Sequence, residues 1–396
     1  MMTRIAVTCG DERAALAVVR SLSAAGHEVH VLAETSNDLS VRSAGCAEQH
    51  LTPSPIKTPE AFASRVATTV RSERVRLCLP VTDAATTALL HPMPRDKEAT
   101  VPWMSVSGYE GLSNKDRVTS EATRFGLSVP QGRRLLERAA LSSGTLDGMQ
   151  FPLVVKPSRS VVTEEGCLRK LGVSFAGDSR ALGQIVAGLP DSAFPLLLQE
   201  RVEGHGLGVF LLVWDGELLA SFAHRRIREK PPSGGVSVLR ESIPLPVGLR
   251  EKCQRLLEAF DWNGVAMIEF KGESLEADPV LMEVNARFWG SLQLAIDAGV
   301  DFPRLLVQAA LGQKVEPVLS YRTGVKLRWF WGDVDHLWAR LRYSKEALNL
   351  PPDAPGRIRA VADFLRGFGP GVRDEVFRWN DPWPALHETR QWFLGR

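Results

Sequence analysis

The chain lacks paired cysteines. Its five (Cys9, Cys46, Cys78, Cys167 and Cys253) include no C-x-x-C pair and no metal-ligand spacing. This excludes a disulfide framework and a cysteine zinc site, and reads as reduced intracellular thiols. Charge of one sign is also missing: 48 Lys and Arg against 46 Asp and Glu leave +2. That is too little to make nucleic acid or an anionic membrane the main partner. No uncharged apolar run approaches the ~18–20 residues of a membrane span. Polar residues from Asp11 to Arg13 break the stretch a signal peptide would need. A cytoplasmic protein is expected. No G-x-x-x-x-G-K-[ST] string, internal repeat or low-complexity tract occurs, which excludes a P-loop.

What is present is an ordinary globular composition, 44% hydrophobic and 24% charged over 396 residues. That length suits two or three domains of roughly 100–200 residues. The first hundred residues alternate strand and helix patterns: apolar Arg4–Thr8 ending at Gly10, a helical run over 12–25, then strands over 28–32 and 75–81. Such alternation predicts a parallel sheet with crossover helices. Gly10 alone marks the first strand–helix turn, so the dinucleotide fingerprint G-x-G-x-x-G is missing and this region reads as scaffold and part of a substrate cleft. From Val101 the texture changes. Ser113-Asn114-Lys115-Asp116 precedes a helical stretch to Phe125, and an apolar strand over 151–157 ends in Lys156. Another apolar strand, 196–203, has a polar tail. Residues 208–226 form a hairpin about Asp215-Gly216, the dipeptide that a type I′ turn prefers. Two prolines and two glycines make 229–235 a loop. A helix over 248–260 leads to a second hairpin, 264–270 with 279–284, and a helix to Ala298. The tail from Tyr321 holds six of ten tryptophans and reads as an appended subdomain with an aromatic mini-core.

The chemistry gathers on the second hairpin. Centred near Glu276, it sets Glu269 directly across from Glu283, with Leu281, Glu283 and Asn285 on one face. Facing carboxylates repel unless a cation neutralises them. Mg²⁺, which takes carboxylates and phosphate oxygens, suits the place, with Asn285 adding a neutral oxygen. The plainer alternative is an exposed strand face with incidental acids. Arg287, two residues on, could grip a phosphoryl or carboxylate group bidentately, or simply pair with Glu283. Lys156 at a strand end and Lys115 suit nucleotide phosphates; either alone could be a solvated lysine. The basic run His224–Lys230 and its loop suggest a lid, with Arg226 sharing parity with His224 and Arg228; an ordinary basic hairpin end is the alternative.

The ordered set Lys115, Val-Val-Lys156-Pro, Leu-Gln-Glu200-Arg-Val-Glu-Gly204, Ile-Glu269-Phe and Met-Glu283-Val-Asn285-Ala-Arg287 resembles the ATP-grasp superfamily of carboxylate–amine ligases. The likeness covers roughly residues 100–315. It implies a mixed α/β and α+β fold: a Rossmann-like pre-ATP-grasp domain (1–110), an N-terminal lobe (111–200), a C-terminal lobe with the metal site (201–320), both lobes built on antiparallel sheets, and the tryptophan-rich tail (321–396). It implies that Lys115 and Lys156 contact ATP phosphates and that Glu200 and the backbone of Val202 lie beside adenine. Glu203 stands in for the acid that often holds the ribose, where this chain has His205 and Gly206. Glu269, Glu283 and Asn285 would hold one or two Mg²⁺, with Mn²⁺ an alternative. Arg287 would stabilise an acyl phosphate, with Arg226 and Lys230 contributing from the lid loop. The reaction implied joins a small-molecule carboxylate to an amine through that acyl phosphate. Bicarbonate-using carboxylase or carbamoyl-phosphate-type chemistry and a non-catalytic ATP-binding scaffold are the alternatives. Dimers are common among such relatives, and nothing marks a carrier-protein partner. The sequence departs from the family after Lys156, where Ser158–Glu165 replaces a glycine-rich lid.

Overall fold

The computed structural model describes residues 2–90, 101, 105–351 and 354–395. Its first unit is a four-stranded parallel sheet of order β3-β2-β1-β4. The elements run β1 (Arg4–Thr8), α1 (Arg13–Ala24), β2 (Glu28–Ala33), β3 (Glu48–Leu51), α2 (Pro59–Ser72), β4 (Leu77–Leu79) and α3 (Asp83–Leu90). Alternate residues of β1 enter different cores. Ile5 and Val7 face α1, while Ala6 faces Phe62 and Val66 of α2. Burial on both faces explains the unbroken apolar run, and β3, too polar to read as a strand, closes one edge.

Two helices follow, α4 (Val106–Leu112) and α5 (Lys115–Arg124). Asn114 Oδ1 accepts from the N–H groups of Asp116 and Arg117 at 3.1 and 3.2 Å, which fixes Lys115 as the first residue of α5. A small antiparallel sheet, order β5-β10-β6-β9, comes next: β5 (Gly132–Leu135), β6 (Leu153–Pro157), the separate hairpin β7 (Val161–Glu164) and β8 (Cys167–Lys170), β9 (Ser174–Ala176), α6 (Ser179–Gly188) and β10 (Leu196–Glu200). It has its own core, from Leu135 to Leu198.

The largest sheet has seven strands, order β15-β14-β11-β12-β13-β16-β17. Its members and helices are β11 (His205–Trp214), β12 (Glu217–Lys230), β13 (Val236–Ser242), α7 (Val247–Glu258), β14 (Gly264–Gly272), β15 (Val280–Asn285), α8 (Leu292–Ala298), α9 (Phe302–Ala310), β16 (Lys326–Arg328), α10 (Phe330–Arg342), α11 (Arg357–Arg366), β17 (Val372–Asp374) and α12 (Trp383–Leu394). Asp215 and Gly216 both take positive φ, 50° and 80°, as a type I′ turn requires. The apolar faces of this sheet and of the first unit join in one core, from Ile5 and Val18 to Phe210, Phe222, Ile268 and Phe302.

Two expectations fail here. The strand of the first hairpin does not stop at Arg226: β13 pairs with β12 as far as Lys230↔Val236, so only 231–235 form the loop. The tail is not an appendage. β16 and β17 extend the large sheet, and Arg20 reaches across to Asp381 at 2.8 Å. Trp331 and Trp392 stack with centroids 4.2 Å apart, but Trp338, Trp379 and Trp383 are exposed, so only part of the tryptophan set is core. Among the described residues no helix is long and apolar enough to cross a membrane.

Candidate active site

The small sheet and the large sheet face each other across a cleft of about 750 Å³. One wall carries Val154, Lys156, Glu200 and Val202; the other carries Met267, Glu269, Met282, Glu283 and Asn285. A second cavity of about 760 Å³ lies toward α3 and is lined by Asp83, Tyr109, Lys115 and Ser160. Glu283 and Asn285 line both, so they stand on the wall between them.

β14 and β15 pair Glu269 with Glu283 and Met267 with Asn285. The register then slips, because Met282 is an extra residue in β15 and Phe270 pairs with Leu281. The bulge corrects the expected parity: Leu281 is buried in the core, not on the face of Glu283. It also brings Met282 into the cleft, its Sδ 3.8 Å from Lys156 Nζ.

The facing acids need no metal to be tolerated. Arg226 Nη2 lies 2.6 Å from Glu269 Oε2, and Lys115 Nζ lies 3.3 Å from Glu283 Oε2. Burial raises both carboxyls. For Glu283 the ammonium groups of Lys115 and Lys156 outweigh it and hold the group well below the ordinary carboxylate range. Glu269 stays raised, by burial and by the charge of Glu283, against the pull of Arg226. Burial lowers the pKa of Lys156, against the pull of Glu283. The repulsion argument for a cation therefore weakens, yet the oxygen set fits one. Two carboxylates and the Asn285 amide form a cluster of hard donors on one wall, as Mg²⁺ prefers.

Each cation is held. Lys115 donates at 2.7 Å to Oγ of Ser160, the residue before β7. Arg226 also meets Glu229 at 3.0 Å, and Gly206 makes this possible, since a Cβ there would stand 2.7 Å from Arg226 Cδ. Arg287 does not pair with Glu283. It binds Asp83 at 2.7 Å and donates to Asn285 Oδ1 at 2.9 Å, tying the first unit to the acid wall. Asp83 escaped the sequence reading, although it opens a helix just past β4, where open α/β sheets place ligand contacts.

Other expected residues lie elsewhere. Register slips in β12 after Arg226 turn Arg228 to Asp333, at 2.6 Å, so the two arginines do not share a face. Lys230 pairs with Asp335 of α10 and sits 5.4 Å from the Trp329 ring, away from the cleft. Glu203 is exposed and outside the cleft lining. His224 is buried edge-on to Phe210, with neither ring nitrogen hydrogen-bonded; burial, Arg226 and Arg240 drive its pKa well down.

The β7–β8 hairpin closes over Lys115 and docks on the first unit. Leu168 N–H donates to Ile56 O at 2.8 Å, and its side chain packs in the Phe62 core.

A family model described as "ATP-grasp in the biosynthetic pathway with Ter operon" matches residues 192–332. Solved structures match over most of the chain. An L-amino acid ligase from Bacillus licheniformis superposes with TM-score 0.57 at 18% identity, over 78% of this chain and 74% of that one. The biotin carboxylase domain of 2-oxoglutarate carboxylase from Hydrogenobacter thermophilus, in complex with MgADP, ADP and bicarbonate, gives 0.63 at 13%, over 82% and 74%. N5-carboxyaminoimidazole synthetase from Staphylococcus aureus with ADP gives 0.61 at 11%, over 82% of both chains. The chain has the ATP-grasp fold. Its two facing sheets follow the parallel sheet in the chain. A comparison with curated proteins found no match.

Proposed function

We propose that the chain is an ATP-dependent carboxylate–amine ligase. It transfers the γ-phosphoryl group of ATP to a carboxylate; an amine then attacks the acyl phosphate, forming the amide and releasing ADP and phosphate. The observation that carries this reading is the convergence of Lys115, Lys156, Arg226 and Arg287 on the wall bearing Glu269, Glu283 and Asn285. Four cations meet four carboxylates there, Glu269, Glu283, Glu229 and Asp83, so the lysines and arginines are already gathered where a polyphosphate and an acid would be met.

Each residue has a task that follows from its place. Lys115 and Lys156 neutralise phosphate oxygens. The apolar walls of Val154, Met267 and Met282 suit a flat base, with Glu200 and Val202 at the polar edge. Arg287, oriented by Asp83 and Asn285, presents a rigid guanidinium where an acyl phosphate would gain charge. Arg226, fixed between Glu269 and Glu229, does so from the opposite strand. Glu269, Glu283 and Asn285 would hold Mg²⁺, which when bound neutralises phosphate charge and polarises the transferred group. The ADP and MgADP complexes of two fold neighbours support ATP with Mg²⁺ as the cofactor pair, and the amino acid ligase supports an organic acid and an amine as substrates.

The test is ADP release. Release that needs both an organic acid and an amine supports the ligase. Release with bicarbonate and no organic acid points instead to the carboxylase-like alternative, and ATP binding without turnover across a broad panel sinks the reading.

A further inference from the structure

A second polar cluster lies on the first unit, among residues that line neither cavity described above. The parallel pairing of β2 and β3 sets His30 beside Glu48 and Leu32 beside His50. The two imidazoles lie 5° from parallel with His30 Nδ1 2.9 Å from His50 Nε2, and Glu48 Oε2 is 4.0 Å from the same Nδ1. His30 is buried, Glu48 exposed and His50 between them.

The other side of His30 fixes its hydrogen. Nε2 stands 3.2 Å from Glu28 Oε1, and Arg4 holds the second oxygen of that carboxylate at 3.1 Å. An ionised carboxylate only accepts, so Nε2 carries a hydrogen, and in the neutral ring, the form a metal takes, Nδ1 offers its lone pair toward His50. A carboxylate behind one ring nitrogen is the arrangement that orients metal-binding histidines.

We propose that His30 Nδ1, His50 Nε2 and Glu48 bind a divalent transition ion of the Zn²⁺ class, leaving a fourth position for water. Two nitrogens on tetrahedral zinc stand about 3.3 Å apart, as bonds of roughly 2.0–2.1 Å require. The observed pair needs only a slight separation, and the exposed Glu48 is free to swing inward. Two imidazoles and one carboxylate suit zinc or its neighbours better than Mg²⁺ or Ca²⁺. The ion would clamp the edge strand β3 to β2. The alternative use of the same lone pair is a hydrogen bond from His50 Nε2–H.

The experiment titrates the metal-stripped full chain with Zn²⁺ in millimolar Mg²⁺, added to compete for the carboxylates of the cleft. The expected result is one Zn²⁺ per chain, lost in His50→Ala, at least tenfold weaker in Glu48→Ala, and unchanged in Glu283→Gln. Co²⁺ in place of Zn²⁺ should give visible d–d bands without thiolate charge transfer. Glu28→Gln, which leaves both ligands intact, should weaken binding about tenfold with the circular dichroism unaltered. That variant decides the matter if His50→Ala misfolds. No Zn²⁺ uptake by the wild type, or uptake equal in His50→Ala and Glu28→Gln, overturns the proposal and leaves a hydrogen-bonded histidine pair.

Discussion

At the scale of single residues, the acid wall is an electrostatic balance between its carboxylates and the cations around them. Glu283 serves two ammonium groups, and Glu269 serves one guanidinium. Glu283→Gln should leave the chain folded by circular dichroism while steady-state ADP release falls about 10²-fold or more, the range for losing one electrostatic partner of a transition state. Normal turnover in that variant would remove Glu283 from the site. Gly206→Ala tests the same wall through sterics. The added methyl collides with Arg226, so Arg226 must release Glu269; we expect a loss of about 1–3 kcal/mol in urea unfolding together with reduced kcat.

At the scale of elements, β12 changes allegiance along its length. Its register slips divide one basic run into a cleft-facing arginine and a set that anchors α10. Lys230→Ala should therefore keep kcat within about twofold and cost at most about 1 kcal/mol of stability, as a partly exposed ion pair does. Arg226→Ala should lose activity. Strand alternation made Glu269, Glu283 and Asn285 legible, because a hairpin with one polar face announces itself in the sequence. Bulges are what hid the rest. The extra Met282 and the slip after Arg226 depend on how neighbouring strands pair, and no local pattern in residues 224–230 or 279–285 records that pairing. The pairing of Arg287 with Asp83 was illegible for another reason: the partners come from separate units that meet only in the folded chain.

The α12 helix adds a pH dependence. Burial raises the Glu388 carboxyl to about 7, although the Trp329 indole donates to it at 2.7 Å. A folded pKa above the unfolded one means that the folded state holds more protons between about pH 4.5 and 7. Stability should fall as pH rises through that window, and Glu388→Gln should flatten the slope in melts taken from pH 4.5 to 7.5.

On the scale of the whole molecule, one core runs from the parallel sheet into the large sheet, the small sheet has a core of its own, and its hairpin is docked on the first unit through Leu168. Leu168→Asp should prise the hairpin from the Phe62 core, raise the KM for ATP and speed proteolysis near residue 165 without changing the melting of the shared core. The hairpin also carries Cys167, whose thiol donates to Lys57 O at 3.2 Å. It is the exposed cysteine of the five; Cys78 and Cys253 are buried, and burial pushes the thiols of Cys9 and Cys46 up, that of Cys9 to about 11. Nature has thus placed a nearly selective attachment point for a fluorophore on the docked hairpin. A dye there would report, in real time and without any substituted residue, whether the hairpin over Lys115 opens when ATP is added.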